Sequence, residues 1–248
     1  TPFVTEDRAY ISPPGVFLHV AGEIKRAAVV NVDLPSGWRT ATGLEPVGGE
    51  GSKFTATDFD VLYDSPLLMG VLEELPSFEV RGIRHRFIGY KLGEFDQQGF
   101  MDGLKKVVEA SVNVINDIPY KEYTFIAIGP GPGGIEHLNS TSFGFSGESM
   151  KSREGLIRMY AFLAHEYFHH YNVKRIRPVE LGPFDYDKEN RTNMLWVSEG
   201  FTVYYDLLLT YRAGLMTREE LFAGISSRIA AYENKPGKRF QSATQASY

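Results

Sequence analysis

The chain contains no cysteine, which excludes a disulfide framework and any thiolate metal site. It also lacks any apolar run approaching the ~20 residues of a membrane-spanning helix, so membrane insertion is not expected. Basic charge is not in excess: 26 lysines and arginines face 31 acidic residues, and the net charge of −5 argues against nucleic acid as a partner. Lys174, Arg175 and Arg177 form one short basic cluster, read as a salt-bridged surface because acidic residues adjoin it. No internal repeat and no low-complexity tract is visible, and the chain opens at Thr1 without a signal-like apolar segment, as though targeting information were missing or removed. With 43% hydrophobic and 13% aromatic residues over 248 positions, the composition is that of a soluble globular protein holding one large domain or two modest ones.

Histidine is scarce as well, at six in the chain, yet three of the six fall between positions 165 and 170. The segment His165-Glu166-Tyr167-Phe168-His169 follows a helix-periodic apolar run over 156–164. On a helix, residues four apart lie about 40° apart around the axis, so His165 and His169 point the same way and can share one metal ion. Glu166, on the flank of that face, is placed to act as general base toward a metal-activated water. The plainer alternative is a pair of exposed histidines on an amphipathic helix.

A catalytic zinc takes three protein ligands and keeps one position open. Residues 195–206 carry a second helical pattern, in which Ser198 reads as the N-cap and Glu199 stands in the first turn, where the helix dipole favours a carboxylate. Glu199 is therefore read as the third ligand. Asp206, two turns further on, shares its face and can accept the free N–H of a metal-bound histidine. Each of these carboxylates could instead be an ordinary solvated helix residue.

Upstream, the strand-like Tyr123–Ile128 runs into a glycine- and proline-rich stretch over 129–134, followed by Ile135, Glu136 and His137. A phosphate loop is excluded, since no lysine and helix start follow at the required spacing. One reading is a turn between two strands. The other is functional: Gly133 and Gly134 let an extended peptide lie close and add to a sheet edge, and Glu136 receives the free amino terminus.

Taken together, residues 129–212 resemble the glycyl aminopeptidase family of zinc metallopeptidases. GGIEH at 133–137 is similar to that family's Gly-Gly-hydrophobic-Glu-His motif, and the long separation of His169 from Glu199 fits its inserted segment. The resemblance implies His165, His169 and Glu199 as ligands of one zinc ion per chain, Glu166 as base, and Glu136, Gly133 and Gly134 as substrate-binding residues. It gives His170 no place in the motif, so His170 is expected to be packed or hydrogen-bonded. It also implies a peptide substrate, an N-terminal glycine or other small residue favoured, and an exported or cell-envelope bacterial enzyme; the sequence itself leaves the compartment open. In related aminopeptidases a tyrosine beyond the third ligand stabilises the oxyanion. None of Tyr204, Tyr205 and Tyr232 is assigned that role, the first two being read as core.

The expected fold is α+β. Residues 1–75 read as a β-sandwich-like domain, with strands over 15–20, 27–32 and 59–63 between turn-rich segments. Residues 76–248 read as a thermolysin-like catalytic domain. It opens on a strand pair over 78–90 and continues through a helix near 99–116, the two site helices and a last helix capped by Thr217 and Glu220. Family members usually continue beyond Tyr248, so both ends are expected to be trimmed. Two alternatives to an aminopeptidase remain: a zinc endopeptidase in which Glu136 is structural, and a non-catalytic peptide-binding relative. Two histidines and a carboxylate would also accept iron, cobalt or manganese.

Overall fold

A computed structural model describes residues 2–49 and 51–248 of the chain. It divides into two compact units: residues 1–101 with 119–151, and residues 102–118 with 152–248.

The first unit is built on sheets. Its elements are β1 (Phe3–Val4), β2 (Arg8–Ile11), β3 (Ala28–Asn31), β4 (Arg39–Ala41), β5 (Glu45–Pro46), β6 (Lys53–Ala56), α1 (Phe59–Tyr63), β7 (Leu67–Gly70), β8 (Glu73–Glu74), β9 (Phe78–Val80) and β10 (Ile83–Gly89). After the helix α2 (Gln97–Ile115), which the division of units crosses, come β11 (Glu122–Gly129), β12 (Gly134–Glu136) and β13 (Ser140–Gly144). Among the described residues three sheets result, in the orders β1-β2-β7-β4, β3-β6-β5 and β12-β13-β11-β10-β8, with β9 pairing β10.

Period-two alternation stacks these sheets. On β2 and β7, Ile11, Leu67 and Met69 pack against Val30, Phe54 and Ala56 of the three-stranded sheet, forming the expected sandwich. Their neighbours Tyr10 and Leu68 point the other way, against Ile88 and Ile126 of the large sheet. The central strands β10, β11 and β13 run parallel, and β11 is buried from Tyr123 to Ala127, as a strand covered on both faces must be. The opposite face of this sheet carries an aromatic cluster: Phe87 meets Phe100, Phe143 and Phe145 at centroid separations of 5.5, 5.6 and 5.2 Å.

Two of the expected strands are not strands. Residues 59–63 form α1, because Asp58 accepts the Val61 amide proton at 2.9 Å and so caps a helix that their apolar character disguises. Residues 16–20 form no strand: Phe17 packs against the sandwich core, and Leu18 is 93% exposed. The strand at 28–31, the hairpin of β9 with β10, and α2 are found as expected.

The second unit is helical: residues 102–115 of α2, then α3 (Arg153–Phe168), α4 (Leu195–Arg212), α5 (Arg218–Glu233) and the short α6 (Ala243–Ala246). Ser152 caps α3 by accepting from the Gly155 amide at 3.0 Å. Buried residues lie nearly all round α3 (Tyr160, Ala161, Leu163, Ala164, Tyr167 and Phe168), which marks it as the core helix of the unit. α4 packs on it through Leu207 against Ala161, with Met216 and Leu221 closing the cluster, and Tyr205 stacks on Phe168 at 4.7 Å. Thr217 and Glu220 form the expected capping box at the start of α5.

Ser198 is not the N-cap of α4. The helix begins a turn earlier, at Leu195, where one of its first amides finds a partner far along the chain. Met194 N–H donates to Thr192 Oγ1 at 3.2 Å, and Trp196 N–H donates to Ser247 Oγ at 3.0 Å. Glu199 therefore stands in the second turn. Among the described residues no helix is long and apolar enough to cross a membrane.

Candidate metal centre

His165 lies in the last turn of α3, and His169 follows as its C-terminal cap residue, still bonded through its amide to the His165 carbonyl at 3.2 Å. The helical register thus persists just far enough to stack the two rings, whose centroids are 4.6 Å apart and perpendicular. Their Nε2 atoms approach to 3.0 Å. From α4, Glu199 Oε2 lies 3.4 Å from His165 Nε2 and 3.6 Å from His169 Nε2. These three are the one group of potential metal ligands among the described residues.

The group fits a metal ion. Tetrahedral ligands at about 2.0–2.1 Å from zinc stand roughly 3.3 Å from one another. The triangle here, with edges of 3.0, 3.4 and 3.6 Å, brackets that value. The His169 imidazole also offers the correct nitrogen. His169 Nδ1 faces the Asn172 carbonyl at 2.9 Å; a carbonyl can only accept, so the proton is on Nδ1 and the Nε2 lone pair points into the triangle. His165 Nδ1 has Asp206 Oδ2 across from it at 3.6 Å, an ion-pair separation.

The electrostatics favour positive charge at the centre. Burial opposes protonation of His165, but Asp206 and Glu199, with the Glu166 charge behind them, outweigh it and push its pKa up to about 9. The His165 and His169 rings in turn hold the Glu199 carboxyl well below the usual carboxylate range. Glu166, adjacent to His165 on α3, is only 7% exposed.

Three supporting residues carried no local signal. Arg228 of α5 binds both oxygens of Asp206, at 2.6 and 3.0 Å, and also the Val203 carbonyl. Asn172 spans from His169 to the first turns of α4, and Thr202 Oγ1 lies 3.4 Å from His169 Nδ1. Asparagine at the third position after a histidine, or arginine two dozen residues after an aspartate, is too common a pattern to read.

His170 is fully buried between Tyr167 and Tyr171 and bonds the Tyr167 carbonyl, in keeping with a packing role. In the basic cluster, Arg175 donates to the His170 carbonyl at 2.7 Å and Arg177 lies over the Phe184 ring. Tyr205 is half-buried against Phe168, whereas Tyr204 is 60% exposed and is not a core residue; it flanks the outer side of α4.

In the first unit, Gly134, Ile135 and Glu136 form β12, the terminal strand of the large sheet. Glu136 is half-buried and Ile135 is 52% exposed. Gly133 adopts a left-handed backbone with φ of 81°, and its carbonyl accepts from Gly144 N–H at 3.0 Å. At Gly144 itself a β-carbon would collide with the Gly131 carbonyl, so the glycine-rich loop folds tightly back on β13. His137 is structural: it lies between Asp64 and Ser142, at 3.3 Å from each, while Asp64 also accepts the Leu138 amide proton at 2.8 Å.

The chain superposes on the crystal structure of an aminopeptidase N family protein from Idiomarina loihiensis with a TM-score of 0.94 and 26% sequence identity. The match covers all of this chain and 44% of that one, so the present sequence spans less than half the length of its relative. No curated protein matches the sequence. Fold and comparison together place the chain among proteins of this α+β architecture. Residues 158–248 match the M61 glycyl aminopeptidase family and residues 1–71 match the M61 peptidase N-terminal domain. The chain belongs to the M61 glycyl aminopeptidase family.

Proposed function

We propose that the chain carries the catalytic centre of a zinc-dependent aminopeptidase that removes N-terminal residues from peptides, with glycine and other small residues favoured. The observation that carries this reading is the donor triangle of His165, His169 and Glu199 with buried Glu166 at its side. The three donors would hold one zinc ion per chain. When bound, zinc supplies a Lewis acid that acidifies water and polarises a carbonyl. Glu166 takes a proton from the attacking water and delivers it to the leaving amine. Asp206 accepts the His165 Nδ1 proton and so keeps that ring in its ligating tautomer. Gly133 and Gly134 leave the backbone of β12 open to an extended peptide, and Glu136 would receive the peptide's ammonium group. Residues 76–248 would supply this chemistry, with 1–75 as a β-rich support. The preference for small residues rests on the family alone.

The test is metal content together with hydrolysis of glycyl and alanyl amides, with Glu166→Gln and an N-acetylated peptide as controls. About one zinc per chain, with turnover lost in the variant and on the blocked peptide, is the expected result. Cleavage of the acetylated peptide would mean an endopeptidase. A chain that binds no metal would sink the reading.

A further inference from the structure

His169 and Glu199 belong to different helices, and residues 170–198 run between them, so chain continuity does not set their separation. Something must hold the start of α4 against the end of α3 if the third donor is to meet the first two. One residue touches both sides. The Asn172 main-chain carbonyl accepts the His169 Nδ1 proton at 2.9 Å. Its side-chain amide donates to the carbonyls of Ser198 and Val197, at 2.9 and 3.3 Å, and to Thr202 Oγ1 at 3.0 Å. Thr202 Oγ1 in turn donates to the Ser198 carbonyl at 2.6 Å and lies 3.4 Å from His169 Nδ1.

We propose that Asn172 is the positioning residue that closes the ligand triangle, joining the His169 tautomer to the placement of Glu199. The inference rests on the metal-site reading above. The two carbonyls it binds, at 197 and 198, immediately precede Glu199, so the amide sets the height and rotation of the turn from which the carboxylate projects. Ser198 and Thr202 are buried and offer no water to take its place. Asn172 lies outside the metal's reach. It acts on the ion through geometry only.

The experiment measures zinc affinity by chelator competition on the 248-residue chain, wild type against Asn172→Ala and Asn172→Asp. Asp keeps the side-chain shape and the main-chain acceptor but has no amide protons. Thermal melts of the metal-free proteins run alongside, and cobalt(II) absorption reports coordination geometry. Zinc affinity is expected to fall about 10- to 100-fold in both variants, as partners behind metal ligands typically show, with the cobalt bands weakened or shifted. Reduced melting temperature with unchanged zinc affinity and cobalt spectrum would overturn the proposal, since it would mark Asn172 as merely structural. Should the Asn172 variants fail to fold, Thr202→Val cuts the same network: a fall in affinity with altered cobalt bands supports the proposal, and wild-type values overturn it. A wild-type chain that binds no zinc would instead dispose of the site itself.

Discussion

Arg228 grips Asp206 through both carboxylate oxygens, at 2.6 and 3.0 Å, and the same aspartate faces His165 Nδ1. Asp206 is 4% exposed. A carboxylate so buried is stable as an anion only with a cation on it, and Arg228 fills that role from a helix that begins after the last donor residue. Cutting this pair is therefore a test of how α5 serves the site. Arg228→Met should weaken zinc binding about 10-fold or more and lower the denaturation midpoint, since Asp206 is left without its cation. Chelator competition and urea titration measure the two effects. Unchanged affinity would separate α5 from the metal centre.

Glu166→Gln is isosteric and removes the proton acceptor without touching a donor of the triangle. Turnover should fall about 10²- to 10⁴-fold while metal content stays at the wild-type level. Activity assays with metal analysis on the same sample decide it. Retained turnover would assign the base elsewhere.

A pH effect should arise far along the chain from the site residues. His85 is fully buried, stacked on Phe78 at 5.1 Å, with Nδ1 donating to the Ile83 carbonyl at 3.0 Å and Nε2 at 2.8 Å from the Tyr120 hydroxyl. Burial holds its pKa down at about 4, against an ordinary 6.5. Below pH 6.5 the unfolded chain takes up a proton that the folded one refuses, so stability declines as pH falls from 6.5 to about 4 and levels off beneath it. The full loss is on the order of 3 kcal/mol. Urea midpoints at about pH 7 and about pH 4.5 should differ less in His85→Gln than in the wild type. Equal pH slopes would refute the assignment.

Two helix glycines should respond to alanine in opposite directions. At Gly103 a β-carbon would overlap the Tyr160 hydroxyl, so Gly103→Ala should destabilise by about 1–3 kcal/mol through overpacking. Around Gly200 nothing lies within 4 Å, so Gly200→Ala should stabilise by up to about 1 kcal/mol through helix propensity. Thermal melts of both variants check the contrast.

What the sequence revealed and what it hid divide along the range of the interactions. The stacking of His165 and His169, the Thr217–Glu220 box and the buried run of β11 each depend on neighbours within a few positions, and each was legible. Asp206 was legible too, because helix geometry alone brings it to the face of Glu199. The start of α4 was not, because Ser247, far along the chain, supplies a partner for the Trp196 amide. Asn172 and Arg228 escaped for the same reason. The misreading of 59–63 was of another kind: Asp58 and Asp60 were there as a helix start and first turn, but five mostly apolar residues suit a strand equally well.

The two-sided burial of β2 and β7 raises a question of error correction. A strand with apolar residues on both faces gains no solvent face to tell it apart from itself shifted by one residue. Tyr10 removes the ambiguity. Its hydroxyl lies 2.9 Å from Ser142 Oγ in the large sheet, and it has that partner on one side only. A one-step slip would swing the phenol among Val30, Leu44 and Phe54, whose aliphatic and phenyl groups have no acceptor to offer. The penalty for an orphaned hydroxyl, about 1–3 kcal/mol, falls on the wrong pairing alone. One oxygen atom thus proofreads the alignment of an otherwise greasy strand.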